Sequence, residues 1–536
     1  MGKKGQKKSV TEQGKLTSDD GVPQYEVMLD FRILAQEALE THPDKPVIVI
    51  GPTEVSYGKF EEMIQEHANA LSLQGVRKGD RIGLLSCNHP DLAALFFAIW
   101  RIGGVAVPLN HLYRASEVEY ATEHCGTKML IVQDELAKGI AEDFTKPACL
   151  EKVFTFDCPV DGVGGPWRKE LSGGHLLVAN DAPSGDDPAA IYYTSGSTAK
   201  PKGVTHTASS ILDTAHSRAT TAEAKHDDVW ILSTQLVHVS ASLGSLMPAI
   251  SVGGTVVFLE EFSPQLWLRA FDQHRPTRSV ILPALLHDIL ECEEAKQVDF
   301  SKMRSLECAG DFVTPDLYDA WEALSSLPIT QMIGMTECEG YCGRHPGDPV
   351  KRGSAGKPRL NVEVRVVDAE GKDLPSNQIG ELCLRSKSMM VGYWNDPKNT
   401  EATIKNGWLY SGDEGRIDED GDIWFVGRFK EIIIKKGSNI APGEVESVLD
   451  QHPDIAESAV VGTPPGPKGQ RIVAYVELEP GHSLDEKAVA DWTGQYISDF
   501  KVPDAWVVVG SMPRNAVGKL DRAALHRETA TKFPPR

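Results

Sequence analysis

The residues best suited to chemistry lie between Tyr193 and Gly203, in the run Tyr-Thr-Ser-Gly-Ser-Thr-Ala-Lys-Pro-Lys-Gly. The run directly follows Ile191, Tyr192 and Tyr193, which read as a buried strand. Small residues let the backbone approach a ligand closely, and hydroxyls with backbone N–H groups can cradle phosphate oxygens. Thr194, Ser195, Gly196, Ser197 and Thr198 would form the cradle, and Lys202 would supply the countercharge. An isolated Gly/Ser loop is ordinarily a solvated turn. Here the hydroxyls, two glycines and two lysines crowd behind a strand, which favours a phosphate ligand. The spacing is not that of a Walker loop, because G-x-x-x-x-G-K-[ST] is absent.

Further segments follow in a fixed order. They are Gln331-Met332-Ile333-Gly334-Met335-Thr336-Glu337, then Gly380-Glu381-Leu382 with Gly392-Tyr393-Trp394-Asn395, then Tyr410-Ser411-Gly412-Asp413, then Gly427-Arg428. Last comes Pro513-Arg514-Asn515-Ala516-Val517-Gly518-Lys519-Leu520. With the 193–203 run, this series resembles the ANL superfamily of adenylate-forming enzymes: acyl-CoA synthetases, peptide-synthetase adenylation domains and beetle luciferases. The resemblance covers the chain from about residue 30 to 525.

The resemblance implies ATP-dependent activation of a carboxylic acid as acyl-AMP, followed by transfer to coenzyme A. Both reactants of the first step are anions, so positioning and charge neutralisation dominate its barrier. Glu337 is suited to hold Mg²⁺, and Thr336 to hydrogen-bond a phosphate oxygen. Asp413 can accept both ribose hydroxyls, since a carboxylate has two oxygens, and Arg428 adds ribose or phosphate contacts. Gly310 and Asp311 fall where the family places backbone against adenine, flanked by Ile333, Gly334 and Met335. Lys519 is positioned to stabilise charge developing at the α-phosphate. His238 falls near the acid's carboxylate, and Lys430, two positions after Arg428, falls at the family's hinge. Lys435, Lys436 and Gly437 are assigned to coenzyme A.

Departures from the family pattern matter as well. Ile333 stands where the family has an aromatic, so adenine stacking from that position is weaker or supplied elsewhere. Ala199 and Ser411 are milder changes. Trp230, His238, Val239, Ser240, Leu243, Cys308, Met335, Cys338, Glu339 and Gly340 are the expected lining of the acid pocket. They are mixed and fairly small, which fits an aryl, alicyclic or medium aliphatic acid.

These residues need a scaffold to position them. Segments 60–73 and 91–101 read as helices. Segments 80–85, 103–108, 191–193, 229–232, 255–259 and 279–282 read as strands. Such alternation implies buried parallel sheets. Segment 157–187, rich in Gly, Pro, Asp and Ser, reads as a link, and Asp420-Gly421 reads as a hairpin turn. The expected fold is α/β: a large N-terminal region of two α/β subdomains plus a β-barrel-like subdomain, with a small mobile α+β C-terminal domain. Residues 1–22 are expected to be a disordered basic tail, 23–429 the adenylate-forming domain and 430–536 the mobile domain.

Composition narrows the partners. Asp plus Glu number 76 against 55 Lys plus Arg, a net charge of −21. Such a field repels nucleic acid but not a small anion held by local cations and backbone N–H groups. The nine cysteines show no zinc or redox spacing, which fits reduced thiols in a cytoplasmic enzyme. No apolar run approaches the ~18 residues of a membrane span. A homodimer stays open. So does a carrier protein loaded in trans, since the 17 residues after Lys519 are too few for a phosphopantetheine-bearing domain. A non-catalytic nucleotide-binding module is the alternative of another class, and retention of Lys519, Glu337 and the phosphate loop argues against it.

Substrate choice is testable directly. Adenylation domains for α-amino acids place an Asp just after the position of His238, where this chain has Val239. A buried ammonium without a carboxylate partner is costly, so neutral carboxylic acids should be activated well above any α-amino acid. A screen in which an amino acid gives the highest kcat/KM would overturn this.

Overall fold

Residues 90–101 are apolar on nearly every face, a pattern that suits a helix enclosed on all sides. The helix Pro90–Arg101 forms there, and every one of its residues is buried. His89 caps it by accepting the Asp91 N–H on Nδ1 at 3.1 Å, and Pro90 occupies the first turn, where its missing N–H costs nothing. The side chains of this helix share one core with Ile82 and Leu84 of one sheet and with Ile48, Trp230 and Val256 of another. The computed structural model describes residues 16–17, 23–24, 28–171, 181–194, 200–310, 313–428, 432–514 and 520–535. Ser195, Gly196, Ser197, Thr198, Asp311, Lys430 and Lys519 lie outside the described residues, as does most of the expected 1–22 tail. Arg428 is described in its backbone alone.

The first sheet has eight strands, with Val105–Leu109, Arg81–Leu85, Met129–Val132 and Lys152–Thr155 parallel at its centre. The second has seven, in the order Ile329–Met332, Ser305–Ala309, Arg278–Ile281, Val229–Leu232, Thr255–Phe258, Pro46–Ile50, Thr53–Ser56. The sheets do not follow chain order. Pro46–Ile50, early in the chain, pairs in parallel with Thr255–Phe258 of the second sheet. Pro188–Thr194 and Lys202–Thr207 instead join the first. A strand's register is set by which faces it must bury, and that depends on partners distant in the chain. A third, antiparallel sheet contains Val362–Val367, Gly380–Ser386 and Trp408–Ile417. Ile423–Arg428 pairs with the last of these across the expected turn, with Ile417 opposite Ile423. The 157–187 segment is not wholly irregular: Gly165–Pro166 adds a short edge strand, and Trp167 is buried in a 3₁₀ turn.

After residue 432 the chain builds its own small α+β unit. The hairpin Ile433–Lys435/Ser438–Ile440 and the strands Ile455–Gly462, Ile472–Leu478 and Ala505–Val509 enclose cores that contain Ile433, Val445, Val460 and Ile472 on one side and Tyr475 and Leu525 on the other. Among the described residues no helix is long and apolar enough to cross a membrane.

A buried cation fastens this unit to the large region. Lys501 Nζ donates to Glu117 Oε1 of the large region at 2.5 Å and to Glu444 Oε1 of the small unit at 2.6 Å. Ser498 Oγ lies 2.7 Å from Leu112 O. Nearer the surface, Lys468 Nζ approaches Glu291 at 3.0 Å. Removing the partner of a buried ion costs about 3–5 kcal/mol, whereas exposed pairs are worth about 0–1 kcal/mol. Lys501→Met should therefore release the small unit, seen as an earlier calorimetric transition, and adding Glu117→Gln should recover part of the loss. A Lys501→Met variant that melts like the parent would remove this pair as the fastening.

Candidate active site

Strands Val229–Leu232, Arg278–Ile281, Ser305–Ala309 and Ile329–Met332 run parallel, so their carboxyl ends open on one edge of the second sheet. Open α/β sheets bind ligands at that edge. A cavity of about 570 Å³ lies there. Ser233, Leu282, Gly310 and Gly334 line it from the ends of those strands, and Thr194 lines it from the first sheet. Part of its wall comes from the small unit, through Lys436, Gly437, Ser438 and Asn439 of the 433–440 hairpin. The hairpin sits close: a Cβ on Gly437 would lie 2.2 Å from Leu282 Cδ1, and Gly437 has φ +78°, which favours glycine on both counts.

The structure brings most of the described candidates together. Thr194, His238, Val239, Ser240, Gly310, Gly334, Met335, Thr336, Glu339, Gly340, Lys436 and Gly437 line the cavity. Thr194 and Lys202, which flank the candidate loop, are paired across antiparallel strands. Lys202 Nζ lies 4.9 Å from the centre of the Tyr393 ring, and the Tyr393 hydroxyl donates to Glu337 Oε1 at 2.7 Å. One aromatic ring thus separates the loop lysine from the candidate metal carboxylate. Asp413 is buried and faces Arg428 across the ladder.

Other candidates point elsewhere. Trp230 is buried with Arg278 over its ring at 5.7 Å. Leu243 is buried in the first core and Cys308 in the second. Cys338 and Ile333 pack into a core under the antiparallel sheet, because the Met335–Cys338 bridge turns Cys338 away. Side chains alternate across a strand or around a helix turn, and single positions near a pocket fall on the wrong face as often as the right one. Lys435 Nζ is held by Asp504 at 2.7 Å, so it serves the small unit.

Several lining residues carry no local motif: Asn110, His111 and Tyr113 from the loop after strand Val105–Leu109, and Phe500 and Lys501 from the small unit. The first three could be found from topology alone, because their loop follows a parallel strand. His238 is exposed to the cavity it lines, and desolvation by the surrounding walls holds its imidazole below the ordinary value. Burial and the proximity of His238 push His111 down to about 4. His206, fully buried, lies with Nε2 2.8 Å from the Thr336 carbonyl. A carbonyl only accepts, so Nε2 carries the proton, and burial pushes this imidazole down to about 4.

The AMP-binding enzyme family model matches residues 35–394, and the model of the AMP-binding enzyme C-terminal domain matches residues 444–519. An indoleacetate–CoA ligase of Aromatoleum aromaticum is 31% identical over 494 residues, spanning 91% of this chain and 96% of its own. The amide bond synthetase McbA of Marinactinospora thermotolerans superposes with a TM-score of 0.82 at 25% identity, over 92% of this chain and 99% of its own. The o-succinylbenzoate CoA synthetase of Bacillus subtilis does so with a TM-score of 0.81 at 27% identity, over 92% and 98%.

The neutral His206 makes stability depend on pH. Its folded pKa lies near 4, below the ordinary 6.5, so the unfolded chain binds the extra proton between those values. Its contribution is complete above about pH 6.5 and is lost as pH falls toward 4, on the order of 3 kcal/mol in all. His206→Gln keeps a donor for Thr336 and cannot be protonated there. Its Tm should fall less steeply from pH 7 to 4.5 than the parent's; equal slopes would rule out His206 as a source of the dependence.

Proposed function

This chain belongs to the AMP-binding enzyme family, and on that premise we propose how its residues divide the work. The enzyme is an acid–thiol ligase: a carboxylic acid and ATP give acyl-AMP and pyrophosphate, and the acyl group then passes to coenzyme A with release of AMP. The observation that carries the assignment of residues is the meeting of Thr194, His238, Gly310 and Thr336 with the 436–439 hairpin on one cavity.

In the first half-reaction Thr194, Thr336 and Lys202 receive the phosphates. Asp413 and Arg428 hold the ribose, and backbone at Gly310 and Gly334 lies against the adenine. His238 orients the acid's carboxylate toward the α-phosphorus. The oxygen of that carboxylate attacks, and the bond from the α-phosphorus to the bridging oxygen of pyrophosphate breaks. Glu337, one of whose oxygens takes the Tyr393 hydroxyl, would hold Mg²⁺ through its carboxylate; the ion would neutralise phosphate charge. Lys519 would stabilise the same charge.

In the second half-reaction the pantetheine sulfur attacks the acyl carbon, and AMP departs. Lys436 and Gly437 at the cavity wall suit this step. Arg514 and Leu520, which flank the Lys519 loop, pair with each other and do not line the cavity. The two steps thus call for two placements of the small unit, with Lys430 as the hinge. Nine free cysteines fit a reducing cytoplasmic setting.

The proposal is tested by acid-dependent pyrophosphate exchange and by mass detection of acyl-CoA. Lys519→Ala should lower acyl-AMP formation by about 100-fold or more while sparing thioester formation from supplied acyl-AMP. Lys430→Pro fixes φ near −65° and should spare acyl-AMP formation while suppressing the thioester step. Equal loss of both steps in Lys430→Pro would remove the hinge.

A further inference from the structure

Lys202, Val204 and His206 alternate along strand Lys202–Thr207 and so share one face of the first sheet. The edge strand Gly392–Tyr393 runs antiparallel beside it, with Tyr393 directly opposite Val204. Residues opposite each other on neighbouring strands project from the same face, so Tyr393 stands between Lys202 and His206. Its register is fixed on both sides. The Val391 N–H donates to the Thr205 carbonyl at 2.9 Å, and the Trp394 N–H to the Gly203 carbonyl at 2.7 Å. The Tyr393 N–H itself donates to Thr400 Oγ1 at 2.9 Å. The side chain is buried in one core with Val204 and Cys338.

The Thr336–Glu337 segment rests against that face. His206 Nε2 donates to the Thr336 carbonyl at 2.8 Å, and the Met390 N–H donates to the Glu337 carbonyl at 2.7 Å. The backbone is thus tied before the carboxylate is placed. Thr336 lines the cavity, and Glu337, next in the chain, is partly exposed beside it. A carboxylate with a neighbouring threonine hydroxyl is a hard-oxygen donor set of the kind Mg²⁺ takes. Glu337 Oε1 accepts the Tyr393 hydroxyl at 2.7 Å. A phenol keeps its proton at neutral pH, so the tyrosine is the donor. The Lys202 ammonium lies 4.9 Å from the centre of the same ring, within the range of a cation–π contact. One uncharged side chain therefore touches a cation through its face and an anion through its hydroxyl. If the two charges collapsed onto each other, each would offer less to a ligand.

We propose that Tyr393 is a positioning residue for the metal-bound nucleotide: its hydroxyl fixes the Glu337 carboxylate in the orientation that receives Mg²⁺ and keeps it from swinging to Lys202. The inference rests on the acid-activating reading above, which supplies ATP as the ligand. The hydrogen-bond partners of a metal-ligating carboxylate set its orientation. Here the partner is a buried phenol whose backbone is locked into a strand ladder, so it brings a fixed direction as well as a donor.

The test is calorimetric binding of ATP, once with Mg²⁺ and once with excess EDTA, alongside acid-dependent pyrophosphate exchange. Mg²⁺ should strengthen ATP binding by the parent. Tyr393→Phe keeps the ring and loses the hydroxyl, and the gain from Mg²⁺ should fall about tenfold or more. Metal-free ATP binding and the KM for the acid should stay within about twofold, which a general loosening of the site would not permit. In a Glu337→Gln background the same tyrosine substitution should leave the Mg²⁺ gain unchanged, because the two residues act through one contact. The proposal is overturned if Mg²⁺ gives the parent no gain, if Tyr393→Phe keeps the parent's gain, or if the loss is as large in the Glu337→Gln background. A parent that binds ATP with Mg²⁺ yet exchanges pyrophosphate with no acid would instead sink the acid-activating reading.

Discussion

Lys501 is one buried cation shared by two carboxylates on opposite sides of the boundary between the large region and the small unit, and the cavity has its present form because of it. The ammonium also lies 5.4 Å from the Tyr113 ring and 5.6 Å from the Phe500 ring, all three residues being cavity lining. Glu117 is at the same time the residue whose Oε2 accepts the Arg114 N–H at the start of helix Ala115–Cys125. The fastening is therefore built into a helix terminus and cannot shift without disturbing it. Two carboxylates around one ammonium leave a negative surplus, and Glu444 Oε2 has no hydrogen-bond partner among the described residues. The contact holds the hairpin at the cavity with a single cation set between two carboxylates.

That balance suits an acidic chain that must handle polyanions. A net charge of −21 works against ATP and coenzyme A at long range, but charge beyond about 8–10 Å is screened at physiological salt. Short-range groups decide binding, and here they are cationic: Lys202 beside the loop hairpin and Lys436 on the hairpin wall. The acidic residues near the site are given other work. Glu337 is engaged by Tyr393, Asp413 sits inside a strand ladder, and Glu117 and Glu444 are neutralised by Lys501.

What the sequence made legible was local. The 193–203 run and Thr336 with Glu337 depend on a few consecutive residues, and the geometry places Thr194, Pro201 and Thr336 on the cavity. The strand positions were legible for the same reason, since hydrophobic runs bounded by turn residues mark strands wherever they end up. The grouping of strands into sheets was not. Nothing within 46–50 says that it pairs with 255–258, because pairing is decided by the partner's exposed edge. The acid pocket failed in another way. Trp230, Leu243 and Cys308 are near the cavity in the chain and lie on elements that border it, but they face the cores. His111 and Lys501 line it from loops with no motif.

The same distinction limits what the motifs can say about the acid. On the proposed division of work Thr336 and Glu337 serve ATP, which every acid must share, so their surroundings do not encode the acid. Two positions later the backbone has turned through the Met335–Cys338 bridge, and the Glu339 side chain lies against the helix that starts at His238. Its environment is set by Arg218, Glu307 and Arg359, drawn from three separate elements. Surroundings assembled in this way from separate stretches of chain leave no local spacing to read.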